Sequence, residues 1–280
     1  MDFKNKYKNL IDSIDEYISE YLDKSYKKTS PVLLDAMKYS VLNGGKRLRS
    51  ILCIETAKML GVTFERAIPF AASIELIHAY SLVHDDLPCM DNSDMRRGMP
   101  SCHKKYGEAM GVLCGDALLN SAYELMSQNC DNKLCAQSMK LISSSAGANG
   151  MIDGQVIDLD LAHKKLCEVD DLIKLIELKT MALIRASILS GAILSDCSKK
   201  QFDELDAFSY HLGLAFQVRD DFEDIEEDSS DIGDSPNFIN FLGYEKAKEL
   251  LNTHVNQAKE IIKKYDNSEF IMSFISFLFD

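Results

Sequence analysis

Apolar residues recur at spacings of three and four along almost the whole chain, a pattern typical of one helix face. The chain has only 5 Pro and 14 Gly, and these cluster between the periodic segments. Alternating apolar and polar runs bounded by hairpin dipeptides are absent. The sequence therefore predicts an all-α helical bundle forming a single domain over residues 1–280. We place helices near 4–25, 30–43, 47–60, 64–85, 107–128, 133–147, 150–161, 169–190, 200–227, 243–264 and 268–279.

The chain is strongly acidic. It has 31 Lys and Arg against 44 Asp and Glu, which gives a formal net charge of −13 at pH 7. Such a charge repels the phosphate backbone, so we expect no nucleic-acid partner. The excess carboxylates can lie in a solvated surface, or they can be concentrated where multivalent cations neutralise them.

The cysteines and the two chain ends bear on the cellular compartment. No two of the eight cysteines have the two-residue spacing of a zinc knuckle or redox motif, so we interpret them as reduced thiols. The first residues lack the apolar core of a secretory signal, which is about 7–15 residues long. The apolar tail 270–279 is half the roughly 20 residues that cross a bilayer. These features predict a cytoplasmic protein with no membrane anchor, whose tail is a packing helix.

A first aspartate cluster ends the apolar segment 74–83. It consists of Asp85, Asp86 and Asp91, three like charges within seven residues, with Pro88 between them. Neighbouring like charges cost free energy and raise one another's pKa. The cluster therefore indicates either a bound cation or a well-hydrated polar turn around Pro88.

A second aspartate cluster follows the apolar stretch 212–218 about 135 residues later. Asp220 and Asp224 are four residues apart, so a helix places them on one face, and Asp221 is three residues from Asp224. Oxygen-only sites of this kind select hard cations such as magnesium, which usually keeps waters and shares substrate phosphates. Two such clusters favour a metal–diphosphate site over two polar turns.

Cationic residues lie near the first cluster and upstream of it. Arg96 and Arg97 follow Asp91 closely, and guanidinium forks match phosphate oxygens bidentately. Upstream, glycines precede cations at a predicted helix start, which suits an anion held on backbone N–H groups. Considered alone, that upstream segment is more typical of a helix C-cap followed by solvated charges. It reads Gly44-Gly45-Lys46-Arg47-Leu48-Arg49.

Taken together, these motifs resemble those of the trans-isoprenyl diphosphate synthases, and within them the bacterial type of farnesyl diphosphate synthase. The resemblance covers residues 30–230, and it implies an all-α bundle around a deep apolar cavity, in a family that is usually homodimeric. The matching segments follow in the family's order. They are the Gly44–Arg49 segment, His78–Asp91, Arg96–His103, Gly154-Gln155 with Asp158, Lys179-Thr180 and Gln217–Asp224.

The resemblance implies a chemistry and a role for each of these residues. An allylic diphosphate loses its leaving group when that group is neutralised by Mg²⁺ ions, three per active site, held between the two aspartate clusters. Isopentenyl diphosphate then attacks the allylic carbon, and a proton is lost. The metal ligands would be Asp85, Asp86, Asp91, Asp220, Asp221 and Asp224. Donors to the leaving group would be Arg96, Lys179, Thr180 and Gln217. Isopentenyl diphosphate would bind Lys46, Arg49, His78 and Arg97.

Product length would be set by residues one helical turn before Asp85. Tyr80 and Ser81 lie there, near where a growing prenyl tail would reach. In the family, a bulky aromatic residue at this place goes with a fifteen-carbon product, so Tyr80 favours farnesyl diphosphate. A geranylgeranyl diphosphate synthase is the alternative, and Tyr80 can also be a simple packed aromatic.

Three histidines lie close to these motifs. A histidine on an apolar helix is more often a core or capping residue than a ligand, and the resemblance favours a substrate contact for His78 only. His84 and His103 stay open between the two roles. Their spacings of 6 and 19 residues fit no compact zinc site.

The sequence departs from the family after Asp224. The lysines that normally close over the diphosphate are missing, the loop near 229–242 is shortened by about nine residues, and Ser50 replaces the usual proline. These losses favour a weakly active or non-catalytic prenyl-diphosphate-binding subunit of another synthase as an alternative. Retention of all six aspartates favours the enzyme. A terpene cyclase is disfavoured because its asparagine–serine–glutamate motif is absent.

Overall fold

The computed structural model describes residues 2–163, 169–227 and 237–280. Within them the chain is almost entirely helical. The helices are α1 (Phe3–Ser25), α2 (Pro31–Leu42), α3 (Leu48–Met59), α4 (Phe64–Asp85), α5 (Cys102–Tyr106), α6 (Glu108–Gln128), α7 (Lys133–Ala146), α8 (Met151–His163), α9 (Val169–Ile176), α10 (Ala182–Leu194), α11 (Lys199–Glu227), α12 (Phe238–Leu242), α13 (Tyr244–Ile262) and α14 (Glu269–Phe279). The π-turn (Glu177–Met181) joins α9 to α10, and strands β1 (Met95–Arg96) and β2 (Met99–Pro100) form a hairpin.

The predicted all-α class is confirmed, and each predicted helix is present. The helix predicted for 169–190 contains the π-turn and continues to Leu194, while α5 and α12 were not predicted. The short hairpin of β1 and β2 was not predicted either. Its two turn residues, Arg97 and Gly98, have φ of +52° and +75°. Positive φ at both turn residues matches the strand twist, but arginine does not signal such a turn.

Helices α3, α4 and α10 form the centre of the bundle. α4 packs against α3, α6 and α10, and α3 packs against α10. Buried apolar residues occur all round α3 and α4, as expected for helices without a solvated face. Because α4 ends at Asp85, the interior of the bundle leads directly to the first aspartate cluster.

A smaller core supports the second aspartate cluster. Leu172 and Ile176 of α9 pack with Leu214 and Val218 of α11 and with Phe238 of α12. Phe238 is fully buried although it stands at the first position of a helix of five residues. This core therefore fixes the start of α12 against the aspartate-bearing part of α11.

The predicted packing helix at the C-terminal end is confirmed. Phe270 and Phe277 of α14 lie 5.3 and 5.8 Å, ring centre to ring centre, from Phe3 of α1. Tyr7 of α1 contacts Phe277 and donates a hydrogen bond from its hydroxyl to the Lys46 carbonyl, at 3.0 Å. None of the described helices is both long and apolar enough to span a membrane.

The seven cysteines that the structure describes are all free thiols. Most of them are buried or half-buried, as expected for packed, reduced cysteines. Cys89 is exposed in the turn after α4. Cys167 and most of the loop near 229–242 lie outside the described residues, whereas its last part forms α12.

Candidate active site

The first aspartate cluster is assembled by a tight turn after α4. The Asp91 N–H donates to the Asp85 carbonyl at 2.9 Å, and the Asn92 N–H donates to the Leu87 carbonyl at 3.1 Å. Asn92 has φ of +51°, a conformation that asparagine tolerates better than most residues. The turn contains Pro88 and places Asp91 beside the end of α4.

The hairpin positions an arginine on this cluster. Arg96 donates to the Asp86 carboxylate from Nη2 at 2.5 Å and from Nε at 3.1 Å. Asp86 is only 2% exposed, so its charge is neutralised mainly by this partner. The resemblance predicts Arg96 as a donor to a diphosphate. In the structure its guanidinium is also bound to Asp86.

The negative charge of Asp85 is less fully neutralised than that of its neighbour Asp86. The pKa of Asp85 is raised to about 6, mainly by burial; the Lys179 ammonium acts to lower it and the nearby Asp91 acts to raise it. Burial makes the ionised carboxylate costly in free energy, and a cation bound close to the carboxylate offsets that cost. Asp85 therefore has the properties expected of a metal ligand at a cavity wall.

The second aspartate cluster lies within α11, as its spacing predicts. Asp221 accepts hydrogen bonds from Gln217 Nε2 at 3.0 Å and from the Phe238 N–H at 2.8 Å. Asp220 pairs with Arg219 at 2.6 Å. Burial raises the pKa of Asp221 to about 6 despite its two donors, with Asp224 and Asp220 adding to the effect.

The π-turn connects the two clusters. Its Thr180 donates to Gln217 Oε1 at 3.0 Å, and its Lys179 pairs with Asp158 of α8 at 2.5 Å. A Cβ on Gly154 of α8 would lie 2.4 Å from the Lys179 backbone nitrogen, so only glycine permits this close approach. The predicted segments 154–158, 179–180 and 217–224 therefore meet at one place.

The glycine segment before α3 packs directly against Arg97. Gly44 and Gly45 have φ of +74° and +115°. The Arg97 guanidinium donates to the Gly44 carbonyl at 2.6 Å, and a Cβ on Gly45 would lie 2.8 Å from its Cζ. The sequence left this segment open between an anion site on backbone N–H groups and a helix cap. In this structure its carbonyl and its lack of a side chain hold an arginine.

A buried ion network under this segment was not predicted. Arg47 has φ of +48° and pairs with Asp15 of α1 at 2.6 Å and with Glu75 of α4 at 3.2 Å. Ser50 donates to Glu75 at 3.0 Å, which gives the serine at this position a partner that proline would lack. Each charge looks like an ordinary surface residue in the sequence, and the three lie on separate elements.

Arg49 and His78 form the inner part of the basic group. Arg49 Nη1 lies 3.4 Å from His78 Nε2. Burial and the surrounding arginines hold the pKa of His78 well below its usual range, so the imidazole is neutral at pH 7. Among the described residues no acceptor is within hydrogen-bonding distance of the buried Arg49 Nε. Lys46, half-exposed, lies 3.9 Å from Glu223 on α11.

A cavity of about 490 Å³ lies between these groups and the bundle interior. Its polar wall includes Asp85, Lys179, Arg49 and His78, and its remaining wall is mainly apolar. The other lining residues are Tyr80, Ser81, Leu82, His84, Met90, Leu119, Met151, Ile152, Gln155, Val156, Leu159 and Thr180. A volume of this size is typical of small-molecule sites, which run from about 300 to 1,000 Å³.

Tyr80 and Ser81 both line this cavity. Tyr80 is buried, and its hydroxyl donates to the Ala146 carbonyl of α7 at 3.4 Å. Its ring meets the His84 ring edge to face at 5.8 Å. Ser81 donates to the His78 carbonyl at 3.0 Å. Tyr80 is therefore both a packed aromatic and a part of the cavity wall.

The two histidines left open by the sequence have structural partners. His84 Nε2 lies 3.1 Å from the Val112 carbonyl, and the ring packs against Gly115 of α6. His103 is buried, with Nδ1 3.0 Å from the Ser101 hydroxyl. Neither histidine faces an aspartate of the two clusters at ion-pair distance in the described part of the chain.

The donor set suits a hard cation. Both clusters offer carboxylate oxygens. Asp85 is half-buried and Asp221 is buried, and both have raised pKa values. In the described ranges no three His, Cys, Asp or Glu side chains are placed to hold a metal ion by themselves. Carboxylate oxygens are the ligands that magnesium prefers, and this ion takes few protein ligands and completes its shell with waters and phosphate oxygens.

Comparison with known proteins identifies related sequences and structures. Residues 30–237 match the polyprenyl synthetase family. The chain is 36% identical to the farnesyl diphosphate synthase of Bacillus subtilis over 89% of this chain and 88% of that protein. It is also 36% identical to the geranylgeranyl diphosphate synthase of Cyanophora paradoxa over 90% and 88%. The crystal structure of an FPP/GFPP synthase from Zymomonas mobilis has a TM-score of 0.89 and 32% identity, covering 98% of this chain and 99% of that one.

Proposed function

Since the chain belongs to the polyprenyl synthetase family and has the all-α isoprenoid-synthase fold, we propose that this prenyltransferase makes farnesyl diphosphate. The substrates are isopentenyl diphosphate and an allylic diphosphate, either dimethylallyl or geranyl, and the reaction depends on Mg²⁺. The observation that carries the proposal is the cavity in which Asp85, Lys179 and Arg49 line one side and apolar side chains line the rest. Such a cavity suits a ligand with a charged head and an apolar tail.

The two aspartate clusters would hold Mg²⁺ for the allylic diphosphate. The ligands would be Asp85, Asp86 and Asp91 of the first cluster and Asp220, Asp221 and Asp224 of the second. Mg²⁺ bound there would neutralise the charge that develops on the leaving diphosphate.

Donors of the chain itself assist at the same place. Lys179 lies close enough to Asp85 to lower its pKa, and Thr180 and Gln217 are joined by a hydrogen bond beside Asp221. Lys179 and Gln217 have further N–H donors for the leaving group, and Thr180 holds the Gln217 amide in place by donating to its Oε1. Arg96 holds Asp86 in place by hydrogen bonds and adds positive charge next to the first aspartate cluster.

Isopentenyl diphosphate binds on the basic side. Lys46, Arg49, His78 and Arg97 supply the donors, and the unsatisfied Arg49 Nε is available to a phosphate oxygen. Because His78 is neutral at pH 7, it contributes a hydrogen bond rather than a charge.

The apolar wall protects the allylic cation from water until the new carbon–carbon bond forms. The departing diphosphate then takes the proton. Tyr80 and Ser81 limit tail length, and Tyr80 supports a fifteen-carbon product because its ring is buried in the cavity wall and its hydroxyl is tied to α7. Geranylgeranyl diphosphate is the alternative product.

We propose that two copies of the chain form a homodimer. Apolar side chains stay exposed on α6, at Val112 and Leu113. Contiguous exposed apolar side chains of this kind mark interaction surfaces. We further propose that the chain folds as one domain and works in the cytoplasm, where its free thiols would stay reduced.

The test is incubation of the purified protein with Mg²⁺, labelled isopentenyl diphosphate and, separately, dimethylallyl, geranyl or farnesyl diphosphate, with products resolved by chain length. A farnesyl product with the first two supports the proposal. Elongation of farnesyl diphosphate to a twenty-carbon product keeps the chemistry and overturns the role of Tyr80.

A non-catalytic subunit is the second candidate, because the segment after Asp224 lacks the family's lysines. In the structure, Lys246 and Lys248 are exposed in the first turns of α13. Binding of a prenyl diphosphate without any condensation would favour this candidate.

A further inference from the structure

We propose that Gly115 of α6 sets which allylic substrate the cavity accepts, because it provides the space in which the His84 ring lies. The inference rests on the proposed function and adds a specificity-determining contact to it. Neither residue belongs to the two aspartate clusters or to the basic group.

The contact between the two residues leaves no room for a side chain at position 115. A Cβ built on Gly115 would lie 2.1 Å from His84 Nε2, 2.3 Å from Cδ2 and 2.8 Å from Cε1. Real Cβ atoms essentially never come closer than 3.0 Å to another heavy atom. With any other residue at 115, either the ring must move or α6 must move away from α4.

The ring is held at this place by three further contacts. Its Nε2 lies 3.1 Å from the Val112 carbonyl, one turn before Gly115 on the same helix, and 3.9 Å from Asp116 Oδ1. The ring also meets the Tyr80 ring at 5.8 Å between ring centres. Because the α6 backbone closes one side of the ring and the cavity lies along another, a ring pushed off α6 enters the cavity.

The position of His84 along α4 determines what this displacement blocks. Tyr80 lies four residues earlier, about 6 Å further along the helix axis from Asp85. A displaced His84 therefore narrows the cavity nearer the diphosphate than Tyr80 does. A five-carbon allylic tail is short enough to avoid this constriction, whereas a ten-carbon tail must pass it.

The test compares geranyl with dimethylallyl diphosphate as the allylic substrate. Gly115→Ala should lower the ratio of their kcat/KM values at least tenfold, and Gly115→Ala combined with His84→Ala should restore it. Gly111→Ala is the matched control, because its Cβ would lie 2.9 Å from the end of the Leu87 side chain, which does not line the cavity. That variant should keep the wild-type ratio.

An unchanged ratio in a folded Gly115→Ala protein overturns the inference, as does failure of the double variant to restore it. Should Gly115→Ala not fold, His84→Ala alone decides: the proposal requires it to produce a larger share of longer products, and wild-type products would overturn it. Dissociation constants of the two allylic diphosphates are measured in parallel. If the wild type does not condense, the proposed function fails, and the ratio of these constants across the variants tests the inference separately.

Discussion

The two aspartate clusters offer similar carboxylates but are supported differently. The first combines a helix end, a turn and a hairpin, and Asp86 depends on Arg96, ten residues further along the chain. The second lies within one helix, where Gln217 of the same helix and the N–H of Phe238 hold Asp221. The first therefore depends on a loop and a hairpin, whereas the three carboxylates of the second lie on one helix and Asp221 has one further donor from α12.

Burial raises the pKa of one carboxylate in each cluster, Asp85 and Asp221, to about 6. Similar electrostatics thus arise from two unrelated local structures. Chemical function should consequently respond alike to changes in the two clusters, while stability should respond differently.

The largest effect is expected on turnover. Asp85→Ala and Asp220→Ala should each lower Mg²⁺-dependent kcat by about a thousandfold or more, the scale seen when a charge-stabilising group is lost. The folds should persist, as circular dichroism would show. Asp94→Asn and Asp203→Asn are matched controls, because these aspartates are exposed and pair with Lys104 and Lys199. Turnover that survives in either alanine variant would show the metal site to be wrongly assigned.

Stability should separate the two clusters. Arg96→Met leaves the buried Asp86 without its partner and should lower the free energy of unfolding by about 3 kcal/mol. Arg219→Met should cost less, because its partner Asp220 is one-third exposed and stays in contact with water. Urea denaturation measures both values.

The Asp86→Asn background isolates the loss of unfolding free energy that Arg96→Met causes by leaving Asp86 unpaired. In Asp86→Asn the buried charge is gone, so adding Arg96→Met should change little. Equal costs for Arg96→Met and Arg219→Met would contradict the proposed difference between the clusters.

The aromatic residues before the two clusters should differ in their effect on product length. Tyr80→Ala removes part of the cavity wall and should shift the main product toward twenty carbons. Phe216, four residues before Asp220, lies against the Arg219 guanidinium at 4.5 Å, and it does not line the cavity. Phe216→Ala should keep the wild-type product. Chromatography of the labelled products decides, and an unchanged product from Tyr80→Ala would refute its role.

The smallest effect concerns pH. Asp85 and Asp221 have pKa values of about 6 in the folded chain against 3.8 for the ordinary group. The folded state thus binds more protons than the unfolded state near pH 5, so these two groups destabilise the metal-free protein at pH 7.5 and less so as pH falls.

The Asp85→Asn/Asp221→Asn double variant exposes this contribution. It should melt about 2–4 °C above the wild type at pH 7.5, with the difference shrinking by pH 5.5. Thermal melts in the presence of a chelator provide the measurement. A difference that grows toward pH 5.5 would mean that the sign is wrong.

The sequence predicts features that depend on local spacing. The helix bounds follow from apolar periodicity, and the second cluster follows from its i, i+4 spacing within α11. The resemblance also predicted that residues 154–158, 179–180 and 217–224 belong to one site, and the structure brings them together.

Features that join distant elements were not predictable in this way. Arg47, Asp15 and Glu75 lie on three elements, and only packing shows that they form a buried network. The hydrogen bonds from Arg96 to Asp86 depend on a hairpin. Its turn contains Arg97, which has a positive φ that is uncommon for arginine. Gly115 looks like an ordinary helix glycine until the His84 ring is seen against it.

The π-turn has a consequence for how this chain could have evolved. A π-helical turn corresponds to one residue inserted into an α-helix. Deleting one residue between 177 and 181 would restore regular α-helical hydrogen bonds, yet it would rotate one side of the helix relative to the other by about 100°. Lys179 and Thr180 would then lose their alignment with α10 and α11. Deletions in this segment should therefore be rare among active relatives, even though they would leave a regular helix.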